Sequence, residues 1–84
     1  MTPKEKEIKI RIAELEENNQ QKGNDFIADV MQRFYQEIAK DYKVHTDRIL
    51  LAITDNGKYF QAYITNEEET ELRYLNDYTI PNGA

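Results

Sequence analysis

The side chains that could do chemistry in this chain are carboxylates and tyrosines, because the usual nucleophiles are missing. The chain contains no Ser, no Cys and a single histidine, His45. Ser-His and Cys-His nucleophile pairs therefore cannot be assembled, and disulfides and thiolate metal sites are excluded with them. The three glycines are scattered, so there is no glycine-rich phosphate loop. The sequence predicts no enzyme activity, no catalytic residue and no cofactor.

The densest group of carboxylates is the segment NEEETE, residues 66–71, which contains four glutamates. A calcium loop needs oxygen ligands at alternating positions, a glycine at its bend and a distant closing glutamate. The acids of this segment are adjacent instead, so we expect no metal site. The segment has two interpretations: a solvated turn that protects a sheet from edge-to-edge pairing, or a docking surface for a basic partner.

The overall charge points to the same class of partner. The net charge is -5, from 16 acidic and 11 basic residues distributed over both halves of the chain. Nucleic acid and anionic membrane are therefore poor partners, and a basic protein surface is a better one. No apolar run approaches the roughly 20 residues that cross a bilayer, and the N-terminus lacks the apolar region of a signal peptide. We expect a cytoplasmic protein without a membrane partner.

The beginning of the chain has the pattern of a capped helix. Thr2 is placed to be the N-cap, Pro3 stands at the first helical position, and Glu5 completes a capping box. The helix is predicted to end near Lys22. One apolar stripe runs along it: Ile8, Ile12 and Leu15.

The same segment has a competing interpretation as a strand. Apolar and charged residues alternate over residues 8–12, as they would in an edge strand. The cap and the Glu-rich continuation favour the helix. In a helix Ile10 lies off the stripe, where it is exposed or meets a second subunit.

A second helix is predicted over about residues 25–42. Gly23 is expected to end the first helix in the left-handed conformation, and Asn24 to cap the second. Because the connection is short, we expect the two helices to be antiparallel neighbours. The apolar face of the second helix is broad enough to touch both the first helix and a sheet: Phe26, Ile27, Val30, Met31, Phe34, Tyr35, Ile38 and Tyr42.

The second half of the chain predicts a β-hairpin. Two β-rich runs flank Asn56-Gly57, a pair suited to a type I′ turn. Pairing Asp55 with Lys58 sets the register, and one face of the hairpin is then fully apolar and is expected to lie on the second helix. That face pairs Ile53 with Phe60, Leu51 with Ala62, and Ile49 with Ile64.

The segment LRYLNDYTI is interpreted as a third strand beside the second. Its register is open, because the loop length decides which face turns inward. Either Leu72, Tyr74 and Tyr78 join the core, or Leu75 does. The predicted fold is α+β: two antiparallel N-terminal helices packed on a three-stranded antiparallel sheet (ααβββ), one domain over residues 1–80 with a tail at 81–84.

The favoured functional hypothesis is a small acidic module that occupies a basic, nucleic-acid-binding surface of a target protein. Carboxylates held on a rigid hairpin can imitate phosphates, with Asp47 and Asp55 expected on the same sheet. In size and charge the chain resembles small phage inhibitors such as anti-CRISPR and anti-restriction proteins, and the resemblance implies an inhibitor. The predicted partner-binding residues are Glu67, Glu68, Glu69, Glu71, Asp77, Tyr59 and Tyr63.

Two alternatives remain. The first is a homo-oligomer, such as a homodimer, since the first helix is long and sparsely apolar. Its predicted self-association residues are Ile8, Ile10, Ile12 and Leu15. The second is a single-stranded nucleic-acid binder that stacks bases on Tyr59, Tyr63 and Tyr74, with Arg48, Lys58 and Arg73 as the nearby cations.

Overall fold

The predicted order of elements is confirmed: two helices precede three antiparallel strands. The computed structural model describes residues 2–54 and 56–81, so Asp55 and most of the predicted tail lie outside the described residues. A short 3-10 turn, Thr46–Arg48, separates helices from strands. The elements are α1 (Pro3–Lys22), α2 (Asp25–Tyr42), β1 (Ile49–Ile53), β2 (Tyr59–Thr65) and β3 (Leu72–Thr79), with sheet order β1-β2-β3.

Helix α1 begins at the capping box that the sequence predicts. The hydroxyl of Thr2 accepts a hydrogen bond from the Glu5 backbone N–H at 3.2 Å, and the Glu5 carboxylate accepts one from the Thr2 N–H at 3.3 Å. These bonds satisfy backbone donors that have no partner inside the helix. The strand interpretation of residues 8–12 is wrong, and Ile10 is exposed as its position off the stripe predicts.

The joint between the helices differs from its prediction in one respect. Asn24 caps α2 as expected, since its side chain accepts a hydrogen bond from the Ile27 N–H at 2.8 Å. Gly23, however, is extended, with φ at -74°, so the predicted left-handed conformation is wrong. Glycine is required there by a close approach, because a Cβ would stand 2.7 Å from the Asn19 carbonyl oxygen.

The two helices lie on opposite faces of the sheet. Leu50 and Ala52 of β1 form a cluster with Ile12 and Leu15 of α1. The alternate residues of β1 face α2, so every residue of β1 is buried. The expectation that the helices pack on each other as neighbours is wrong, because β1 lies between them. The α2 cluster contains Ile27, Val30, Ile38, Ile49, Leu51, Ile53, Phe60 and Ala62.

The edge of β1 is covered by two asparagines of α1. The Asn19 side chain donates to the Leu51 carbonyl at 2.6 Å and accepts from the Ile53 N–H at 2.9 Å. Asn18 donates to the Ile53 carbonyl at 3.0 Å. In the antiparallel ladder these backbone groups point away from β2. Helix α1 therefore satisfies part of a strand edge that would otherwise face water or another chain.

The hairpin register is confirmed, whereas its turn type is not. Leu51 pairs with Ala62 and Ile53 with Phe60, as the sequence predicts. The turn is spanned by a hydrogen bond from the Gly57 N–H to the Thr54 carbonyl at 2.9 Å. Gly57 has a φ of +70°, but Asn56 is not among the residues with positive φ. A type I′ turn needs positive φ at both central residues, so that prediction is wrong.

A β-bulge in β3 resolves the open register of the third strand. Asn76 pairs with Ala62, and Tyr74 pairs with Tyr63, so Leu75 is an extra residue. Because the bulge shifts the alternation, Leu75 and Tyr78 pack on the α2 cluster. Leu72, before the bulge, packs on the α1 cluster instead. Neither of the two alternative core sets is correct by itself.

Candidate functional site

One half of the sheet carries a tyrosine-rich surface on the side of α1. The residues of β2 and β3 that face this side include Tyr59, Gln61, Tyr63, Tyr74 and Asp77, which we call the tyrosine face. The buried contacts of α1 are made mainly over β1, so much of this surface stays open. Tyr59 is 40% exposed and Tyr74 is 51% exposed. The fold thus presents aromatic side chains on a rigid strand pair.

The tyrosine face is organised by contacts among its own members. The rings of Tyr63 and Tyr74 meet edge to face, with their centroids 5.7 Å apart. The Tyr74 hydroxyl donates a hydrogen bond to Asp77 at 2.7 Å, and the Tyr63 hydroxyl donates one to Gln61 at 3.1 Å. These bonds reduce the rotamer freedom that an exposed tyrosine would otherwise lose on binding.

The Asp77 carboxylate, at the centre of the tyrosine face, changes the pKa of the neighbouring Tyr74 hydroxyl. The hydrogen bond to Asp77 raises the pKa of the Tyr74 hydroxyl, and burial and the nearby charge of Asp77 raise it further. Losing the hydroxyl proton would place a phenolate beside a carboxylate. The Tyr74 hydroxyl therefore keeps its proton at neutral pH and donates it to the hydrogen bond with Asp77.

Replacing Asp77 with Ala is expected to lower the Tyr74 pKa towards about 10, the ordinary value for tyrosine. The variant removes both the hydrogen bond and the charge that favour the protonated hydroxyl. The measurement is an NMR titration of the Tyr74 ring carbon that bears the hydroxyl. Asp47→Ala removes an acid elsewhere and should leave the Tyr74 titration unchanged. Equal titration curves for the parent protein and both variants would contradict the hydrogen bond between Tyr74 and Asp77.

The acidic segment, residues 66–71, is a structured turn built around Asn66. The Asn66 side-chain oxygen accepts hydrogen bonds from the N–H groups of Thr70 and Glu71, at 2.8 and 2.9 Å. Its amide nitrogen donates to the Thr70 hydroxyl at 2.7 Å. Glu69 has a φ of +58°, which completes the reversal of the chain. The segment connects β2 and β3, and its glutamate side chains project from one end of the sheet.

The predicted partner-binding residues fall into two groups. Tyr59, Tyr63 and Asp77 share the tyrosine face, whereas the glutamates lie in the turn beyond it. The Glu67 carboxylate forms a salt bridge with the Arg48 guanidinium at 3.7 Å. Asp47 lies in the 3-10 turn before β1, near this same end of the sheet, and Asp55 lies outside the described residues.

The four predicted self-association residues are also separated by the fold. Ile12 and Leu15 are buried against β1, at 4% and 6% exposure, and Ile8 packs at the border of the same cluster. Only Ile10 of the four projects into solvent, at 51% exposure. Self-association of the folded chain through α1 would therefore depend on Ile10.

The sequence analysis did not include Tyr74 and Gln61 among the residues predicted to bind a protein partner, and it named Tyr74 only for the nucleic-acid alternative. Both follow from the strand alternation once the bulge is known, since Gln61 lies between two outward tyrosines of β2. Tyr74 enters the surface because Leu75 is the extra residue of the bulge. A single extra residue leaves no periodic signal in a strand of eight residues.

Three further features were considered in the described part of the chain: the single histidine, metal binding and membrane-spanning helices. His45 is an exposed loop residue whose Nδ1 accepts a hydrogen bond from the Asp47 N–H at 3.2 Å. Among residues 2–54 and 56–81, no group of three His, Asp or Glu side chains is placed to hold a metal ion. No helix in these ranges is both long enough and apolar enough to span a membrane.

Comparisons of this chain with family models, with curated proteins and with solved structures produced no significant match.

Proposed function

We propose that the protein is a small protein-binding module that docks its tyrosine face on a basic surface of a partner protein. The observation that carries the proposal is the Tyr63, Tyr74 and Asp77 arrangement, which is ordered by its own contacts and lies beside the half of the sheet that α1 covers. Tyrosine is enriched at protein interfaces because it provides a large contact area at a low cost in rotamer entropy.

The chemistry of the tyrosine face suits cationic side chains. An arginine guanidinium can stack on an exposed tyrosine ring while it donates hydrogen bonds to a carboxylate. Tyr74 and Asp77 provide this combination within one contact of 2.7 Å. The net charge of -5 adds long-range attraction that speeds association with a basic surface.

The proposed action is inhibition by occupying a nucleic-acid-binding groove. Leu72, where β3 leaves the acidic turn, pairs with Thr65, and Asp77 pairs with Gln61, so four steps of β2, about 13 Å, separate them. That distance corresponds to about four nucleotide steps of one DNA strand, at about 3.4 Å each. The turn glutamates at one end of the tyrosine face and Asp77 at its centre would then meet cations that otherwise contact successive phosphates.

The same surface is less suited to nucleic acid itself. The tyrosines could stack on single-stranded bases, but Asp77 stands among them and would repel phosphate. Arg73 pairs with Ile64, whose face of the sheet is the one towards α2, so Arg73 does not join the tyrosine face. A direct comparison of a basic peptide with an oligonucleotide distinguishes the two interpretations.

Asp77→Lys is expected to weaken the binding of an octa-arginine peptide about tenfold, because it replaces the central carboxylate by a like charge. The measurement is fluorescence anisotropy of the labelled peptide at about 50 and 150 mM salt, where weaker binding at the higher salt is expected. Asp29→Lys is the matched control: it makes the same charge change at an exposed position of α2, which packs on the other face of the sheet.

A second variant tests the contribution of the acidic turn. Reversal of Glu67, Glu68 and Glu69 to Lys should abolish peptide binding if the turn forms part of the docking surface. Equal weakening by Asp29→Lys and Asp77→Lys would show that net charge acts alone, and the docking proposal would fail. Tighter binding of an unstructured oligo-dT than of the peptide would favour the nucleic-acid interpretation instead.

A further inference from the structure

An open cavity lies where the N-terminus of α2 meets the end of the sheet that carries the hairpin turn. Its volume is about 510 Å³, within the range of about 300–1,000 Å³ that is usual for small-molecule sites. Three parts of the chain line it: the first turn of α2, the hairpin turn, and the end of β3 with the two residues that follow. The lining residues are Phe26, Ile27, Gly57, Lys58, Tyr59, Thr79, Ile80 and Pro81.

The lining of this cavity is mainly apolar. Ile27 is buried and Ile80 packs on the α2 cluster, so these two residues form its floor. Phe26 and Tyr59 are 37% and 40% exposed, so both remain accessible to a ligand. Aromatic rings attract one another in stacked or edge-to-face arrangements. A planar aromatic ligand therefore suits the walls of the cavity.

The charge of the lining selects the polar group of the ligand. Among the described residues, Lys58 is the only charged one that lines the cavity. Its ammonium group makes no ion pair within residues 2–54 and 56–81. The cavity between α1 and the sheet differs in this respect, because Arg11 and Glu14 in its lining pair with each other at 3.8 Å. An anionic group would give Lys58 the charged hydrogen-bond acceptor that the described chain does not supply.

Hydrogen bonds of the backbone hold the walls of the cavity in place. The Lys58 N–H donates to the Asn56 side-chain oxygen at 3.0 Å, and the Lys58 carbonyl accepts from the Ile80 N–H at 2.8 Å. On the side of α2, the Ile27 N–H donates to the Asn24 side-chain oxygen at 2.8 Å. Because these walls are already ordered, binding a ligand would cost little further ordering of the protein.

We propose that this cavity binds a small planar aromatic ligand that carries one anionic group, a carboxylate or a sulfonate. The rings of the ligand contact Phe26 and Tyr59, and its anionic group meets the Lys58 ammonium. This binding goes beyond the docking function proposed above and needs no partner protein. Of the named members of the tyrosine face only Tyr59 lines the cavity, so the two functions can be tested separately.

Two fluorescent probes that differ by one sulfonate test the role of Lys58. They are 8-anilinonaphthalene-1-sulfonate and N-phenyl-1-naphthylamine, which has the same rings without the sulfonate. Lys58→Met should weaken the binding of the sulfonate about fivefold, because it removes the cation, and should change that of the amine less than about twofold. Lys40→Met makes the same chemical change in the last turn of α2 and should leave the binding of both probes unchanged.

A second variant tests the aromatic wall, and NMR locates the binding. Phe26→Ala should weaken both probes about fivefold, because it removes a ring that they contact. In the parent protein, the sulfonate is expected to shift the amide signals of Ile27, Lys58 and Ile80. Circular dichroism of each variant shows that the helices and the sheet are retained.

Several results would overturn the proposal. The first is a lack of saturable binding of the sulfonate up to about 1 mM, and the second is a set of amide shifts confined to other surfaces. Equal weakening by Lys58→Met and Lys40→Met would assign the attraction to net charge alone. Amide shifts at the cavity that depend on protein concentration without a probe would show that a second copy covers it instead.

Discussion

Replacing Asn19 with Ala is expected to lower the free energy of unfolding by about 3 kcal/mol. The variant removes the hydrogen bonds to the Leu51 carbonyl, at 2.6 Å, and to the Ile53 N–H, at 2.9 Å. Both backbone groups would be left without these partners in a part-buried position, at a cost of about 1–3 kcal/mol each. In a domain of this size the midpoint of thermal unfolding should fall by about 15 °C.

Urea unfolding followed by circular dichroism measures the loss, and amide hydrogen exchange locates it. The Ile53 N–H should lose its protection first, because it points away from β2 and depends on Asn19. Gln20→Ala, at the adjacent exposed position of α1, is the control and should change stability by less than about 0.5 kcal/mol. Equal stability of the two variants would mean that α1 does not hold the edge of β1.

The helix boundaries could be predicted because they depend on local hydrogen bonds. The capping box of Thr2 and Glu5 and the Asn24 cap both form as the sequence indicates. The hairpin register also followed from local pattern, because its two apolar runs align in only one way around Asn56-Gly57. Contacts within a few residues leave a signal in the sequence that needs no knowledge of the rest of the fold.

The arrangement of the layers could not be predicted by the same reasoning. The stripe of α1 shows that Ile12 and Leu15 are buried, but not which face of the sheet covers them. One signal was present: all five residues of β1 are apolar, as in strands that are covered on both faces. The roles of Asn18 and Asn19 left no pattern, because an asparagine in a helix has the same appearance whether it faces solvent or a strand edge.

The candidate site could be predicted only in part, because one of its strands depends on local pattern and the other on tertiary packing. Tyr59 and Tyr63 alternate on β2 in a register that the hairpin fixes, so their shared face followed from the sequence. The position of Tyr74 depends on the bulge at Leu75, a tertiary adjustment that lets both Leu72 and Leu75 be packed. The bulge thus sets the composition of the tyrosine face.

Phe60→Ala is expected to cost about 4 kcal/mol of unfolding free energy, the largest effect of any substitution considered. Phe60 is completely buried at the centre of the α2 cluster, and its ring meets Phe34 edge to face at 5.9 Å. Truncation removes the ring from the core and leaves a cavity, which costs about 3–5 kcal/mol for a buried phenylalanine. A domain of this size has a total stability of the order of 5–10 kcal/mol, so the variant should be partly unfolded at 37 °C.

The matched control is Phe26→Ala, which makes the same chemical change at the start of α2. Phe26 is 37% exposed, so its loss should cost less, about 1–2 kcal/mol. Urea unfolding of both variants against the parent protein gives the comparison. A cost below 1 kcal/mol for Phe60→Ala would contradict the packing of α2 on the sheet. A large cost for Phe60 together with a smaller one for Phe26 would place the tightly packed centre of the α2 cluster at Phe60.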